Sequence, residues 1–118
     1  MRIMIAEDTE SVRFALRLAM EYFGHEVVGV ACDGEEALAE YERTHPEVVL
    51  MDVRMPLIDG LKCTEMLSQM HPEAKVVIVT GGRTTASMAR EVGARAVVEK
   101  PFEIAELNAV ICEAAAAA

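Results

Sequence analysis

Aromatic rings are nearly missing from this chain, which has two Tyr, three Phe and no Trp. An interior without rings has to be built from Val, Ile, Leu, Met and Ala, and a 53% hydrophobic content supplies them in the proportion of an ordinary folded domain. Positive charge is also scarce. Eleven Lys and Arg stand against twenty Asp and Glu, and the formal net charge of -9 opposes condensation on phosphate backbones or anionic lipid. Direct nucleic acid binding is therefore not expected. The cysteines Cys32, Cys63 and Cys112 are odd in number and far apart, without a C-x-x-C spacing. They suggest neither a disulfide framework nor a zinc site, and read as small reduced side chains. No apolar run approaches the roughly 20 residues of a membrane span. Glu7 and Asp8 interrupt the N-terminus after one short apolar run, unlike a signal peptide. No membrane insertion and a cytoplasmic location are the expectations. At 118 residues the chain reads as one domain, 1-118, with room for a single core and none for a separate output module.

What is present is an alternation of short apolar runs with longer stretches of helical period. Ile3-Met4-Ile5-Ala6, Val27-Val28-Gly29-Val30, Val48-Val49-Leu50-Met51, Val76-Val77-Ile78-Val79 and Ala96-Val97-Val98 read as strands. Between them, Val12, Leu16, Ala19, Met20 and Phe23 recur at helical spacing, as do Ala37, Leu38 and Tyr41, then Leu61, Met66, Leu67 and Met70. Ala86, Ala89 and Val92 mark a fourth helix, and Ile104, Leu107, Val110 and Ile111 a fifth. Asp33 is placed to cap the second helix with Glu36 at its N3 position, and Asp59-Gly60 opens the third. Gly24, His45-Pro46 and His71-Pro72 act as stops. Ala114 to Ala118 is compatible with helix continuation and carries no chemistry. Five strands, each followed by a helix, predict an α/β fold: a single doubly wound five-stranded parallel sheet with helices on both faces.

Four of the five apolar runs lead into a polar side chain: Asp8, Asp52, Thr80 and Lys100. In a parallel sheet these gather at the carboxyl edge, where open α/β folds bind ligands. Singly, each has an ordinary reading. Asp8 and Asp59 suit helix caps, Thr80 a strand end and Lys100 a surface cation. Asp52 is harder to explain so, because a carboxylate ending a fully apolar strand must be solvated, paired or bound to metal. Glu7, Asp8 and Asp52 together would set three negative charges side by side, each close pair costing about 3 kcal/mol at ~5 Å and an effective dielectric near 20. A divalent cation removes that cost. Mg2+ suits the set, since it takes one or two carboxylates, keeps several waters and accepts a phosphoryl oxygen. With a hydroxyl at Thr80 and a cation at Lys100, the site suits phosphoryl transfer to Asp52.

These spaced motifs, from Glu7-Asp8 through Asp52, Met55-Pro56-Leu57-Ile58-Asp59-Gly60 and Thr80 to Lys100-Pro101-Phe102, strongly resemble the response-regulator receivers of two-component systems over the whole chain. The resemblance implies strand order 2-1-3-4-5, which general descriptions of the fold give for the chemotaxis receiver CheY. It implies that Asp52 is the phosphoacceptor, Asp8 and Asp52 direct Mg2+ ligands, the main-chain carbonyl of Arg54 a further ligand and Glu7 a ligand through water. Lys100 would neutralise phosphoryl charge. Thr80 would hydrogen-bond the phosphoryl group and carry the following loop with it, beside a small Gly81 that leaves room for a donor. The Lys100-Pro101 peptide would be cis.

The implied partners are a sensor histidine kinase or histidine phosphotransfer protein, and a downstream protein target or an output domain absent from this chain. The implied output surface is the fourth helix, fifth strand and fifth helix, with Met88, Arg90, Arg95 and Glu99 expected to be exposed. Such a domain is a phosphoacceptor rather than an enzyme, with self-catalysed transfer and autodephosphorylation. One position departs from the pattern. Many receivers carry Tyr or Phe three residues before the lysine, where this chain has Val97, so an aromatic readout of the switch has no ring to use. Other readings fit less well. A haloacid-dehalogenase-like hydrolase needs a second acid that Asp52-Val53-Arg54 lacks, and a flavin or nucleotide site would not meet phosphate with Glu7-Asp8-Thr9-Glu10. A pseudo-receiver, used only for protein binding, would not need every chemical residue in place.

Overall fold

The computed structural model describes residues 1-82 and 84-116. Its strands are β1 (Arg2–Ala6), β2 (Glu26–Ala31), β3 (Val48–Asp52), β4 (Val76–Thr80) and β5 (Ala96–Glu99). The helices between and after them are α1 (Glu10–Tyr22), α2 (Gly34–Thr44), α3 (Gly60–Met70), α4 (Ala86–Glu91) and α5 (Ile104–Ala116). The strands form one sheet in the order β2-β1-β3-β4-β5, and every neighbouring pair is parallel. Both the doubly wound class and the strand order agree with the sequence-based expectation.

Alternation along the strands divides the core. Met4, Ala6, Val49, Met51 and Ile78 face α2, α3 and α4, where Tyr41, Cys63, Leu67 and Ala89 cover them. Ile3, Ile5, Leu50, Val77 and Val79 face α1 and α5, against Leu16, Met20, Leu107 and Ile111. β3 and β4 are buried at every residue, which is why their sequences carry no polar alternation before Asp52 and Thr80. No helix among the described residues is long and apolar enough to cross a membrane.

The helix starts explain themselves locally. The Asp33 carboxylate accepts from the Glu36 amide at 2.8 Å, as expected, but Glu36 reaches back to the Cys32 amide at 3.0 Å, one residue earlier than in a simple capping box. Asp59 caps α3 by accepting from the Lys62 amide at 2.8 Å. Asp8 is not a cap: Thr9 holds the N-cap position of α1, with no side-chain cap bond. Its carboxylate therefore has no local structural duty there. Gly24 ends α1 at φ 85°, and His45 ends α2 in the left-handed region at φ 43°.

Two expectations need correction. Met70 and Ile104 are exposed rather than core-facing, because each is the terminal residue of its helix and has no next turn to cover it. α4 is a helix of 6 residues that buries only Ala89, with Val92 already its C-cap. Of the alanine tail, Ala114 to Ala116 continue α5, while Ala117 and Ala118 lie outside the described residues.

Candidate functional site

Parallel strands deliver their last residues to one edge. Asp52 ends the central strand β3 and is 8% exposed, while Glu7 follows β1 directly and is 2% exposed. Asp8, next in the chain, is exposed. Glu7, Asp8 and Asp52 each offer a carboxylate oxygen, and these oxygens lie within 4.8 Å of one another. Lys100, just past β5, sets its Nζ 3.4 Å from Asp52 Oδ1 and 3.7 Å from Glu7 Oε1. Thr80 ends β4, buried, beside the strand that carries Asp52. The same cleft is lined by Asp8, Arg54, Gly81 and Met88. The residues expected from sequence, up to 93 positions apart, are thus brought together.

Charge in the cleft is not balanced. Among the described residues three carboxyl groups face one ammonium, and buried Glu7 Oε2 has no hydrogen-bond partner. Burial, followed by the hydrogen bond and charge of Asp52, pushes the Glu7 carboxyl up to about 8, with Lys100 opposing the shift. An orphaned buried carboxylate oxygen beside two further acids fits a hard divalent cation, which would satisfy the oxygen and cancel the excess charge together. The Thr80 hydroxyl accepts from the Gly82 amide at 3.1 Å, which leaves its own hydrogen available to donate.

Two positioning groups carry little signal in the sequence. Gly60 passes so close to the end of β3 that a Cβ there would sit 2.0 Å from the Asp52 carbonyl oxygen, and its amide donates to the Val53 carbonyl at 2.8 Å. Its place after Asp59 looks like any helix start. Arg13, on what reads as the polar face of α1, donates from Nη1 to the Glu7 carbonyl at 2.8 Å and so fixes the backbone between the two acids. The loop after Asp52 is also strained. Leu57 sits at φ 69°, inside a tight turn closed by the Ile58 amide on the Pro56 carbonyl at 2.8 Å.

The sequence model of the response regulator receiver domain matches residues 3–112. The chain belongs to the response regulator receiver family. Among its relatives, Protein CcdB of Bacillus subtilis is 33% identical over 104 residues, covering 86% of this chain and 87% of that protein. The transcriptional regulatory protein PdtaR of Mycobacterium tuberculosis is 37% identical over 107 residues, and there this receiver spans only 52% of the relative's length. Among solved structures, a LuxR-family two-component response regulator from Aurantimonas superposes with a TM-score of 0.92 at 34% identity, covering 98% of this chain and 84% of that one. The response regulator domain of Thermotoga maritima CheB matches at a TM-score of 0.91 and 23% identity, a likeness of fold, over 100% of this chain and 98% of that one.

Receivers bind Mg2+ at an acidic pocket, and this receiver has the acidic cluster for it. The Lys100-Pro101 peptide is cis, as the resemblance implied. Val97 is half-buried and lines a shallow pocket with Thr84, Thr85, Ala86 and Glu99, so the position that often holds an aromatic faces the start of α4. On the expected output surface Met88, Arg90 and Glu99 are exposed. Arg95 is half-buried, because its backbone is drawn to the sheet by an amide bond to the Val76 carbonyl at 2.8 Å.

Proposed function

We propose that this receiver, residues 1-118, takes a phosphoryl group onto Asp52 from a phosphohistidine on a sensor histidine kinase or phosphotransfer protein, in a Mg2+-dependent step. The observation that carries the reading is the meeting of Asp52, Asp8, orphaned Glu7 and Lys100 within one cleft at the strand ends. Asp8, Asp52 and the Arg54 carbonyl would hold the ion directly, and Glu7 through water. Bound there, Mg2+ supplies charge neutralisation for the phosphoryl oxygens and for the carboxylates an anionic donor must approach.

The chain's own groups do the rest. An oxygen of the Asp52 carboxylate attacks phosphorus, the bond from phosphorus to the donor's imidazole nitrogen breaks, and that nitrogen leaves with the bonding pair and is protonated by solvent. Lys100, now shared between Asp52 and Glu7, turns its ammonium to a phosphoryl oxygen. Thr80 keeps accepting from the Gly82 amide and donates its hydroxyl hydrogen to another, which couples the phosphoryl group to the turn at Gly81-Gly82 and to the start of α4. With Val97 in the pocket beside that start, the signal passes through backbone and α4 rather than through a swinging ring.

The output is a protein target, or an output domain beyond this chain. The domain is a cytoplasmic phosphoacceptor that catalyses its own transfer and dephosphorylation, without direct contact to nucleic acid. Intact mass spectrometry after incubation with acetyl phosphate tests the reading. One added phosphoryl mass is expected with Mg2+, and none with chelator or in Asp52→Asn. A parent protein that stays unlabelled where another receiver labels would refute it, and would favour a binding-only domain.

A further inference from the structure

α1 has two apolar faces, and the fold uses one. Leu16, Ala19 and Met20 are buried against the sheet. On the other side Phe14, Leu18 and Tyr22 are 61%, 51% and 78% exposed. Spacing of four sets these three in one row along the helix. Isolated exposed apolar residues are ordinary, but a row of three large ones marks a contact surface. The remaining large exposed apolar residues, Leu57, Met70, Met88 and Ile104, are scattered over other elements.

The charges beside the row indicate what covers it. In a chain of net charge -9, α1 is neutral, with Glu10 and Glu21 balanced by Arg13 and Arg17. Two copies of this chain repel over most of their surfaces, and α1 is a face where that repulsion is absent. Arg17 and Glu21 lie on the same flank of the row, 3.7 Å apart. A two-fold axis demands that a patch complement itself. Antiparallel pairing about Leu18 meets that demand, since it sets Phe14 against Tyr22 of the other copy and Arg17 against Glu21 of the other copy. Ser11 and Ala15, exposed on the opposite flank, are small enough to let the helices approach. A basic or acidic partner would instead call for a rim of one sign.

From this we infer that α1 is a self-association face, through which two copies of the receiver pair antiparallel about Leu18. A helix of 13 residues is about 20 Å long, so the contact falls short of the roughly 800 Å² per partner of a standard interface and the dimer is weak.

Sedimentation velocity over roughly 10 μM to 1 mM tests it, bracketing the affinity such a small interface supports. The wild type is expected to move toward twice the monomer mass as concentration rises. Leu18→Glu should stay monomeric, while its melting curve by circular dichroism shows that it folds. Arg17→Glu and Glu21→Arg should each weaken pairing by about tenfold or more, since each leaves one sign on that flank. The double variant Arg17→Glu/Glu21→Arg should restore it. A wild type that remains monomeric throughout overturns the proposal, including the case where the same face binds another protein. So does a Leu18→Glu protein that pairs like the wild type, or a double variant no better than the single ones.

Discussion

At the amino ends of the strands, charged and polar groups are paired off locally. Arg2 donates to the Thr44 and His45 carbonyls at 2.6 and 2.9 Å, Lys75 donates to the Ala115 carbonyl at 2.6 Å, and His25 bridges the N-terminus and Asn108. At the carboxyl ends the reverse holds: Lys100 is divided between two acids, and Glu7 keeps an oxygen with no partner among the described residues. The same sheet thus has one end that closes loops and another that leaves charge uncompensated. Satisfied groups stabilise but have nothing left to offer a ligand, while unsatisfied ones are useful only if a ligand completes them. Substitutions at the two ends should therefore separate stability from phosphoryl transfer.

The sharpest break comes at Asp52. Asp52→Asn should abolish phosphorylation by acetyl phosphate while leaving the fold intact, measured by intact mass and by melting temperature. Lys100→Ala should follow, slowing phosphorylation by on the order of 100-fold without abolishing it, since one charge-stabilising group is lost and the nucleophile remains. A loss at Lys100 as complete as at Asp52 would mean that the ammonium also holds the site together.

At the other end, Arg2→Ala should lower stability by about 1–3 kcal/mol, the worth of charge-assisted bonds to the last carbonyls of α2, and leave the phosphorylation rate unchanged. Denaturant unfolding measures the first and single-turnover labelling the second. A slowed rate would show that the two ends are mechanically coupled.

How much of this contrast the sequence carries depends on whether a residue's role is set by its own strand or by a neighbour. Asp52, Thr80 and Lys100 were legible because each closes a run of apolar residues, and parallel topology does the rest. Gly60 and Arg13 were not, because one answers to the Asp52 carbonyl and the other to the Glu7 carbonyl, and no spacing rule names those oxygens. The inner row of α1 was read from its period. The outer row of Phe14, Leu18 and Tyr22 has the same four-residue spacing, and only the packing decides which row the sheet takes. α4 was read too long because Ala86, Ala89 and Val92 keep a helical period past the point where Val92 already serves as the cap.

Glu7→Gln sharpens the comparison from the unsatisfied side. The folded-state carboxyl titrates at about 8 against an ordinary 4.5, so in that window the metal-free fold holds a proton that the unfolded chain has released. Its contribution to stability is full below about pH 4.5 and is lost as pH rises toward 8. The amide cannot ionise, so the variant should lose this slope and, at pH 8 with chelator, melt about 4 °C higher, what roughly 1 kcal/mol is worth in a domain of this size. Its gain in melting temperature on adding Mg2+ should shrink. A variant that melts lower at pH 8 would show that Glu7 is satisfied after all.

The smallest effect belongs to His71, at the satisfied end. Its Nε2 lies 2.5 Å from Glu42 Oε1 and its Nδ1 3.4 Å from Glu73 Oε1, and the hydrogen bond to Glu42, with the charges of both acids, raises it above the ordinary 6.5. A histidine raised in the folded state contributes stability that is complete below the unfolded value and fades as pH climbs through the folded one. The difference in melting temperature between wild type and His71→Asn should therefore be widest below pH 6.5 and narrow above it. It should not vanish, because the ring also packs on Tyr41 with centroids 4.9 Å apart, a contact that does not titrate. Added salt should narrow the acidic part alone, since ion pairs to the exposed carboxylates of Glu42 and Glu73 are screened and the ring contact is not. A gap that widens with pH would mean that the imidazole is neutral in the fold and that Glu42 is held by something else.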